Sequence, residues 1–257
     1  MYLPTFKPAG SGRPLVFLHG LGGNADSFDA QFAQFSVAWH CIAWNMPGYG
    51  GSPLPAEFTW QSLSAALARL LDHLSLPRAI LIGHSMGGMV AQEFVARHPE
   101  RVEALVLSAT SAMFGSADGS FQREFLASRL KPIEEGKTPA DIADALVAGM
   151  IAEPRDPDVV AWARRQMARI PAATYRAALT CLAGFDRRGD LAAIPCPTLL
   201  LAAEKDATAP PRGMARMAEK IPGARYHCVA GAGHLVQAER PTAFNAALQS
   251  FLAGLPR

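Results

Sequence analysis

The segment 80–90, Ile-Leu-Ile-Gly-His-Ser-Met-Gly-Gly-Met-Val, restricts the possible folds more than any other part of the chain. An apolar run of the kind that forms a buried strand ends at Gly83, and a helical pattern begins almost at once. Between them, Gly83, Ser85 and Gly87 form G-x-S-x-G, which is typical of a sharp strand-to-helix turn that exposes a serine hydroxyl. A Cβ two residues before or after the serine would clash in such a turn. The segment therefore predicts a strand-turn-helix unit with Ser85 as a nucleophile.

Short apolar runs alternate with helical patterns on both sides of this segment. The length of 257 residues suits one α/β domain with an insertion, and 50% hydrophobic against 18% charged residues indicates an extensively buried sheet. Alternation of this kind predicts a mostly parallel central sheet with helices on both faces. The predicted strands are 15–18, 41–44, 80–83, 102–107, 197–203 and 224–229, and the predicted helices of this part include 60–74, 214–221 and 242–252.

The alternation stops after Ser108. From 112 to 185 the pattern is helical, with segments near 121–130, 139–152, 159–170 and 172–183, and no strand is evident. We therefore expect residues 1–111 and 186–257 to form the core and residues 112–185 to form a helical cap inserted between two strands. Among the apolar residues of the cap, Phe114 and Trp162 are expected to line a substrate pocket.

A serine nucleophile needs a base, and the base needs an acceptor that fixes its tautomer. His234 follows the last predicted strand in a glycine-rich loop, which places it above the carboxyl edge of the sheet, whereas His84 is expected to point away from Ser85. One strand end supplies Glu204 and Asp206, and the other available end carries no carboxylate. Asp206 is the preferred acid and Glu204 the second candidate. The chain order Ser85, Asp206, His234 is the order expected for a catalytic triad whose serine lies on a G-x-S-x-G turn between a strand and a helix.

The segment 19–23, His-Gly-Leu-Gly-Gly, follows another predicted strand beside the serine turn. It lacks the glycine spacings that bind nucleotide phosphates, so its better use is to present a backbone N–H group. We predict that Leu21 and Met86 supply the two N–H donors of an oxyanion hole. His19 is expected to hold this loop by hydrogen bonds, and His19 and Gly20 are expected to border the bound substrate.

Charge and composition restrict the partners. Lys and Arg number 24 against 22 for Asp and Glu, and no basic run is interleaved with aromatic residues, so nucleic acid is not an expected partner. No apolar run approaches the roughly 18 residues that span a bilayer, and residues 1–7 lack a signal-peptide pattern. A soluble, cytoplasmic protein without membrane, metal or cofactor is expected. The dispersed cysteines are expected to be free thiols: Cys41, Cys181, Cys196 and Cys228.

Five segments together resemble the α/β-hydrolase superfamily over nearly the whole chain: 19–22, 45–52, 83–88, 204–206 and 233–234. Within it, the cap length and the segment 221–226 most resemble 3-oxoadipate enol-lactonase-like hydrolases with a four-helix cap. The resemblance implies the α/β-hydrolase fold. Asn45 departs from the pattern, because many relatives carry Asp before the Pro-Gly turn, and this puts one structural hydrogen bond in question.

These features predict a cofactor-free serine hydrolase that acts on a small ester or an enol-lactone, as a monomer or small homo-oligomer. Four alternatives stay open: a hydrolase of carbon–carbon bonds in ring-cleavage products, an acyl-homoserine lactonase, a cofactor-free peroxidase, and a non-catalytic ligand receptor. The triad and oxyanion positions favour an enzyme over a receptor. The carboxylate of an enol-lactone would need an inward arginine, and the candidates are Arg123, Arg129, Arg164, Arg165, Arg169 and Arg176.

Overall fold

A single sheet runs through the computed structural model, which describes residues 3–256. Met1 and Tyr2 of the predicted core segment 1–111, and Arg257 of the predicted core segment 186–257, lie outside the described residues. Its strands are β1 (Phe6–Ala9), β2 (Pro14–Leu18), β3 (His40–Trp44), β4 (Ala79–His84), β5 (Val102–Ser108), β6 (Thr198–Ala203) and β7 (Arg225–Val229). Within the described residues the order is β1-β3-β2-β4-β5-β6-β7. β1 pairs antiparallel with β3, and the other neighbours pair in parallel. The predicted mostly parallel sheet is confirmed.

Apolar side chains of the central strands fill both faces of this sheet. In β2, Leu15 and Phe17 belong to one core cluster, whereas Val16 and Leu18 belong to the other. All four residues are fully buried, and burial of each side chain contributes about 1.5–3 kcal/mol. Burial on both faces explains why the strands are continuous apolar runs without polar alternation.

Helices cover the two faces. They are α1 (Asp29–Phe35), α2 (Trp60–His73), α3 (Met86–Arg97), α4 (Ser120–Glu134), α5 (Pro139–Ala148), α6 (Pro157–Ala168), α7 (Ala172–Leu182), α8 (Pro211–Lys220), α9 (Val236–Glu239) and α10 (Pro241–Ala253). Helices α1 and α10 pack on one face, and α2, α3 and α8 pack on the other. Thr59 begins α2 by accepting the N–H of Ser62 at 3.1 Å, which satisfies one of the free donors of the first turn.

Helices α4 to α7 form the insertion between β5 and β6. Its two ends are paired: Phe114 N–H donates to Phe185 O at 3.0 Å, and Arg187 N–H donates to Ala112 O at 2.7 Å. The chain thus leaves the sheet and returns to it at one place. This pairing supports the division into a core and a cap of residues 112–185, which we keep as a proposal.

Strand β1 and the end of helix α5 are among the elements that differ from the expectation. Strand β1 was not predicted, because four residues that include Lys7 and Pro8 carry no apolar run, and a proline inside a strand argues against a central strand although an edge strand such as β1 tolerates it. Helix α5 ends at Ala148 and not at 152, so residues 149–156 are free to form a loop. This loop reaches the segment around His234, as described below.

The remaining global features concern thiols and membranes. Cys41, Cys181 and Cys196 are buried, Cys228 is half-buried, and all four are free. In the part of the chain that the structure describes, no helix combines the length and apolar character needed to cross a bilayer.

Candidate active site

Ser85 occupies the turn between β4 and α3 with φ 52° and ψ −121°, a conformation that L-residues rarely adopt. The flanking glycines are sterically required. A Cβ on Gly83 would lie 2.5 Å from the carbonyl oxygen of Gly87, and a Cβ on Gly87 would lie 2.0 Å from the carbonyl oxygen of Leu18. The G-x-S-x-G pattern predicts this need for glycine, and the second contact shows that the turn packs directly against β2.

Neighbouring backbone and side-chain groups hold this strained turn. Ser85 N–H donates to Ser108 O at 2.9 Å, and the Thr110 hydroxyl donates to Ser85 O at 2.7 Å. Thr110 also packs against Gly88, where an added Cβ would lie 2.8 Å from the threonine side chain. The end of β5 thus supports the serine although it carries no carboxylate.

The structure brings Ser85, His234 and Asp206 into one chain of hydrogen bonds. Nε2 of His234 lies 2.9 Å from Oγ of Ser85, and Nδ1 of His234 lies 2.8 Å from Oδ2 of Asp206. The three residues follow β4, β7 and β6, whose carboxyl ends meet at one edge of the sheet. His234 and Asp206 are only 4% and 3% exposed, whereas Ser85 is half-buried. The arrangement leaves the serine accessible and its partners shielded from water.

Asp206 is fixed through both carboxylate oxygens. Oδ1 accepts the N–H groups of Thr208 at 2.8 Å and Ala209 at 2.9 Å. Burial alone would raise the pKa of Asp206, but His234 and these N–H donors hold the pKa below its ordinary value. The other candidate, Glu204, is exposed and accepts the N–H of Gly231 at 2.7 Å. Of the two predicted acids, only Asp206 contacts the imidazole.

His19 holds the loop that follows β2. Met46 N–H donates to Nε2 of His19 at 3.0 Å, so the proton resides on Nδ1, which donates to Gly20 O at 2.8 Å. Burial lowers the pKa of His19 from 6.5 to about 4, against the opposing effect of the Gly20 carbonyl. The ring is fully buried and both of its nitrogens have hydrogen-bond partners. The expectation that His19 and Gly20 border the substrate stays a prediction.

This loop places backbone donors beside the serine. An added Cβ on Gly20 would lie 3.0 Å from Cβ of Ser85, so the next residue, Leu21, also lies next to the turn. Met86 is the first residue of α3, so its N–H group has no carbonyl acceptor within the helix. Neither Leu21 N–H nor Met86 N–H donates to a protein acceptor within residues 3–256. Both are therefore available to a bound oxygen.

Asn45 forms three side-chain hydrogen bonds at the position where its departure from the family pattern put one in question. Its Oδ1 accepts the N–H of Ala25 at 2.9 Å, as a carboxylate would. Its Nδ2 also donates to the Thr5 hydroxyl at 2.9 Å and to Gly50 O at 3.4 Å, which a carboxylate could not do. The amide thus ties the turn after β3 to the residues before β1.

Helix α6 of the insertion contacts the loop after β2. Gln166 Oε1 accepts from Nδ2 of Asn24 at 2.5 Å, and Arg169 pairs with Asp26 at 2.7 Å. Cε of Met167 lies so close to Gly22 that an added Cβ would approach to 2.9 Å. The insertion therefore covers the loop that carries the predicted donor Leu21.

The loop 149–156 of the insertion contacts the segment that carries His234. His234 N–H donates to Met150 O at 2.7 Å, and the buried carboxylate of Glu239 accepts the N–H groups of Ala152, Gly233 and Leu235 at 2.9, 3.0 and 3.0 Å. The sequence reasoning missed Glu239. The available signal was a carboxylate within an otherwise apolar or neutral stretch, Leu-Val-Gln-Ala-Glu, directly after His234.

The two predicted pocket residues of the insertion are half-buried. Phe114 packs against Phe125 with ring centroids 4.9 Å apart and belongs to a cluster with Met89 of α3. Trp162 belongs to a cluster that includes Leu235, the neighbour of His234. Each aromatic side chain thus belongs to an apolar cluster that includes a residue close in sequence to Ser85 or His234. Its contact with a substrate stays a prediction.

His84 lies beside the site and does not simply point away from it. Its ring is 5.0 Å from the ring of His234, and it is 3% exposed. Burial lowers the pKa of His84 well below its ordinary value, and His234 lowers it further. Since α3 begins immediately after Ser85, the sequence could not show on which side of the sharp turn this imidazole would lie.

Comparisons with known proteins agree with the fold. The profile of the α/β-hydrolase fold family matches residues 13–241. The chain is 28% identical over 242 residues to a protein of Acinetobacter baylyi named 3-oxoadipate enol-lactonase 2. The aligned region covers 93% of this chain and 88% of that protein. It is 29% identical to a protein of Mycobacterium tuberculosis named as a non-heme bromoperoxidase, over 98% of both chains. A solved structure of a thermophilic esterase from Thermogutta terrifontis superposes with a TM-score of 0.89 at 30% identity, covering 98% of this chain and 93% of that chain. The predicted resemblance is thereby confirmed, and the chain belongs to the α/β-hydrolase fold family.

Proposed function

We propose that this protein hydrolyses small carboxylic esters or lactones through an acyl-enzyme on Ser85. One observation carries the proposal: Nε2 of His234 faces Oγ of Ser85 at 2.9 Å while Nδ1 faces Asp206 at 2.8 Å. An imidazole held in this way can accept the serine proton, and the carboxylate stabilises the imidazolium that forms.

The steps follow from these contacts. Oγ of Ser85 attacks the substrate carbonyl carbon as its proton passes to Nε2 of His234, and a tetrahedral oxyanion forms. Collapse of this intermediate breaks the bond to the leaving oxygen, which takes the proton from Nε2, and leaves an acyl-serine. Water then attacks the acyl group with His234 again as base, which releases a carboxylic acid and restores Ser85. For a lactone, the leaving oxygen belongs to the same molecule as the acyl group, so the first step opens the ring and the second step releases a single ring-opened acid.

The oxyanion would be bound by the N–H groups of Leu21 and Met86, which lack other acceptors within the described part of the chain. Loss of one such donor in other hydrolases costs about 2.7–4 kcal/mol of transition-state stabilisation. His19 and Gly20 would act by holding Leu21 in place, and Phe114 and Trp162 would bound the substrate pocket from the insertion side.

The names of the relatives support an ester or lactone substrate, since two of them are an enol-lactonase and an esterase.

An acidic substrate would need a cation in the insertion. Among the six candidate arginines only Arg129 is half-buried, while the other five are exposed. The guanidinium carbon of Arg129 lies 5.6 Å from the centroid of the Phe125 ring. Arg129 is therefore the proposed anchor if the substrate carries a carboxylate.

The experiment uses purified protein in two arms. A fluorophosphonate probe should modify the wild-type chain once, and peptide mass analysis should place the adduct on Ser85. A screen of lactones, enol-lactones, acyl-homoserine lactones, ring-cleavage diketones and short and long esters should then give the fastest turnover with a small ester or lactone. Absence of the adduct would favour a ligand receptor, and selective turnover of a diketone would favour carbon–carbon bond hydrolysis.

A further inference from the structure

Glu239 is a buried carboxylate that the proposed chemistry does not use. It ends α9, the single-turn helix that follows His234, and it is only 8% exposed. Within residues 3–256 no cationic side chain forms an ion pair with it; Arg240 donates to its backbone carbonyl instead. A buried carboxylate without a cation must be satisfied by N–H donors.

Three backbone N–H groups meet this requirement. Oε1 accepts the N–H of Leu235, and Oε2 accepts the N–H of Gly233. These two residues flank His234, so one carboxylate binds the chain on both sides of the proposed base. Hydrogen bonds to a charged acceptor are about twice as strong as those between neutral groups, so this contact restricts the backbone of His234 strongly.

The third donor belongs to the insertion. Ala152 N–H reaches the same Oε2 atom at 2.9 Å, and His234 N–H donates in the opposite direction to Met150 O at 2.7 Å. The two segments are in close contact, because an added Cβ on Gly233 would lie 2.6 Å from the nitrogen of Ala152. The carboxylate of Glu239 therefore lies where the insertion and the base-bearing segment meet.

We propose that Glu239 is a positioning residue that keeps the imidazole of His234 within reach of Ser85 by joining residues 233–235 to the insertion. This role rests on the proposed function of His234 as the base. The one hydrogen bond between Nδ1 of His234 and Asp206 cannot do the same, since the imidazole still moves with the backbone of His234. A displacement of about 1 Å in a catalytic group is enough to reduce the rate by about 100-fold.

The test is the isosteric change Glu239→Gln. An amide has one accepting atom, so either Leu235 N–H or the pair Gly233 and Ala152 faces an NH₂ group that cannot accept. The expected result is a fall of about 10- to 100-fold both in kcat and in the rate constant for fluorophosphonate modification of Ser85. KM should stay within about threefold, since no proposed substrate contact changes, and the far-ultraviolet circular dichroism should equal that of the wild type.

The matched control is Glu204→Gln. Glu204 also accepts a backbone N–H from the segment before His234, that of Gly231 at 2.7 Å, but it is exposed. In Glu204→Gln, the rate constant for fluorophosphonate modification of Ser85 should stay within about twofold of wild type. Wild-type rates in Glu239→Gln, or equal losses in both variants, would overturn the proposal.

Folding and function are separated by two further measurements. If Glu239→Gln does not fold, Glu239→Asp retains the charge and withdraws the carboxylate by one methylene; a folded Asp variant should still be slowed by at least about fivefold, and wild-type rates would overturn the proposal. If the wild-type chain itself resists fluorophosphonate, the proposed function fails, and the role of Glu239 in it fails for that separate reason.

Discussion

Asp206 contacts His234 through only one of its two carboxylate oxygens. Oδ2 lies 2.8 Å from Nδ1 of His234, while Oδ1 accepts the backbone N–H groups of Thr208 and Ala209. Every one of these contacts requires an acceptor on the Asp206 side. The carboxylate is thus the only common side chain of this size that satisfies the base and the following loop together.

Replacement of Asp206 by Asn should reduce kcat by about 10⁴-fold. The amide must turn its NH₂ group either toward Thr208 and Ala209, where donors would face donors, or toward His234, where it would favour the tautomer with the proton on Nε2. In both cases the imidazole loses its anion. Glu204→Gln is the control and should be mild. Steady-state kinetics of the two variants would decide it, and a larger loss in Glu204→Gln would move the acid to Glu204.

Ser85→Ala should abolish turnover, with a fall in kcat of at least about 10⁴-fold. The fold should persist, because alanine keeps the Cβ and only the hydroxyl that faces His234 is lost. One lost hydrogen bond of about 1 kcal/mol shifts the Tm by about 2–4 °C in a chain of this size. Calorimetry and substrate hydrolysis would be measured together. Activity within tenfold of wild type would contradict the nucleophile assignment.

The fold and the meeting of the candidate site residues could be predicted from sequence because each has a local signal. The G-x-S-x-G turn places Ser85, and the strand ends before Asp206 and His234 place their side chains at the same sheet edge. This prediction holds for any parallel sheet, because the carboxyl ends of neighbouring parallel strands lie at the same edge. The family profile and the sheet order agree with that interpretation.

The contacts between distant segments had no such signal. Glu239 meets Ala152 across 87 residues of chain, and Arg187 donates to Glu93 across 94 residues. The first pair depends on where the insertion lies over the sheet, and the second depends on where the chain returns to the sheet after the insertion. No periodicity in these segments encodes either placement. Strand β1 was missed for a related reason, because its pairing with β3 and not its composition makes it a strand.

The stability of the protein should decrease as the pH falls from 7.5 to 5. His19 has a folded-state pKa of about 4 against 6.5 when unfolded, so only the unfolded chain takes up this proton over most of that range. The contribution of His19 is therefore present above pH 6.5 and lost as the pH falls toward 4, by about 2 kcal/mol at pH 5. Urea unfolding of the wild type and His19→Gln at both pH values would test this. An equal decrease in the two proteins would contradict it.

Short acyl groups should react faster than long ones. Met167 packs against Gly22 in the loop that carries Leu21, and both Met167 and Tyr175 are 1% exposed, so we expect the insertion to close over the site. We expect esters of two to four acyl carbons to exceed those of twelve or more by at least about tenfold in kcat/KM. No increase in rate should accompany the appearance of a lipid interface. Fastest turnover of long-chain esters would contradict a closed pocket.

Arg129 should discriminate anionic from neutral substrates. It is half-buried above the Phe125 ring, and it forms no ion pair within residues 3–256. Burial raises the pKa of Tyr175, and the positive charge of Arg129 acts against this rise. A hydrogen bond to a charged group contributes about 1.5–3 kcal/mol, so Arg129→Met should raise KM for a dicarboxylate monoester by about 10- to 150-fold. KM for the neutral ester of equal length should change by less than about threefold. Arg123→Met, on the exposed side of the same helix, is the control. Equal effects on both esters would remove the anchor role, and turnover of neutral esters alone would exclude an enol-lactone while leaving the serine hydrolase in place.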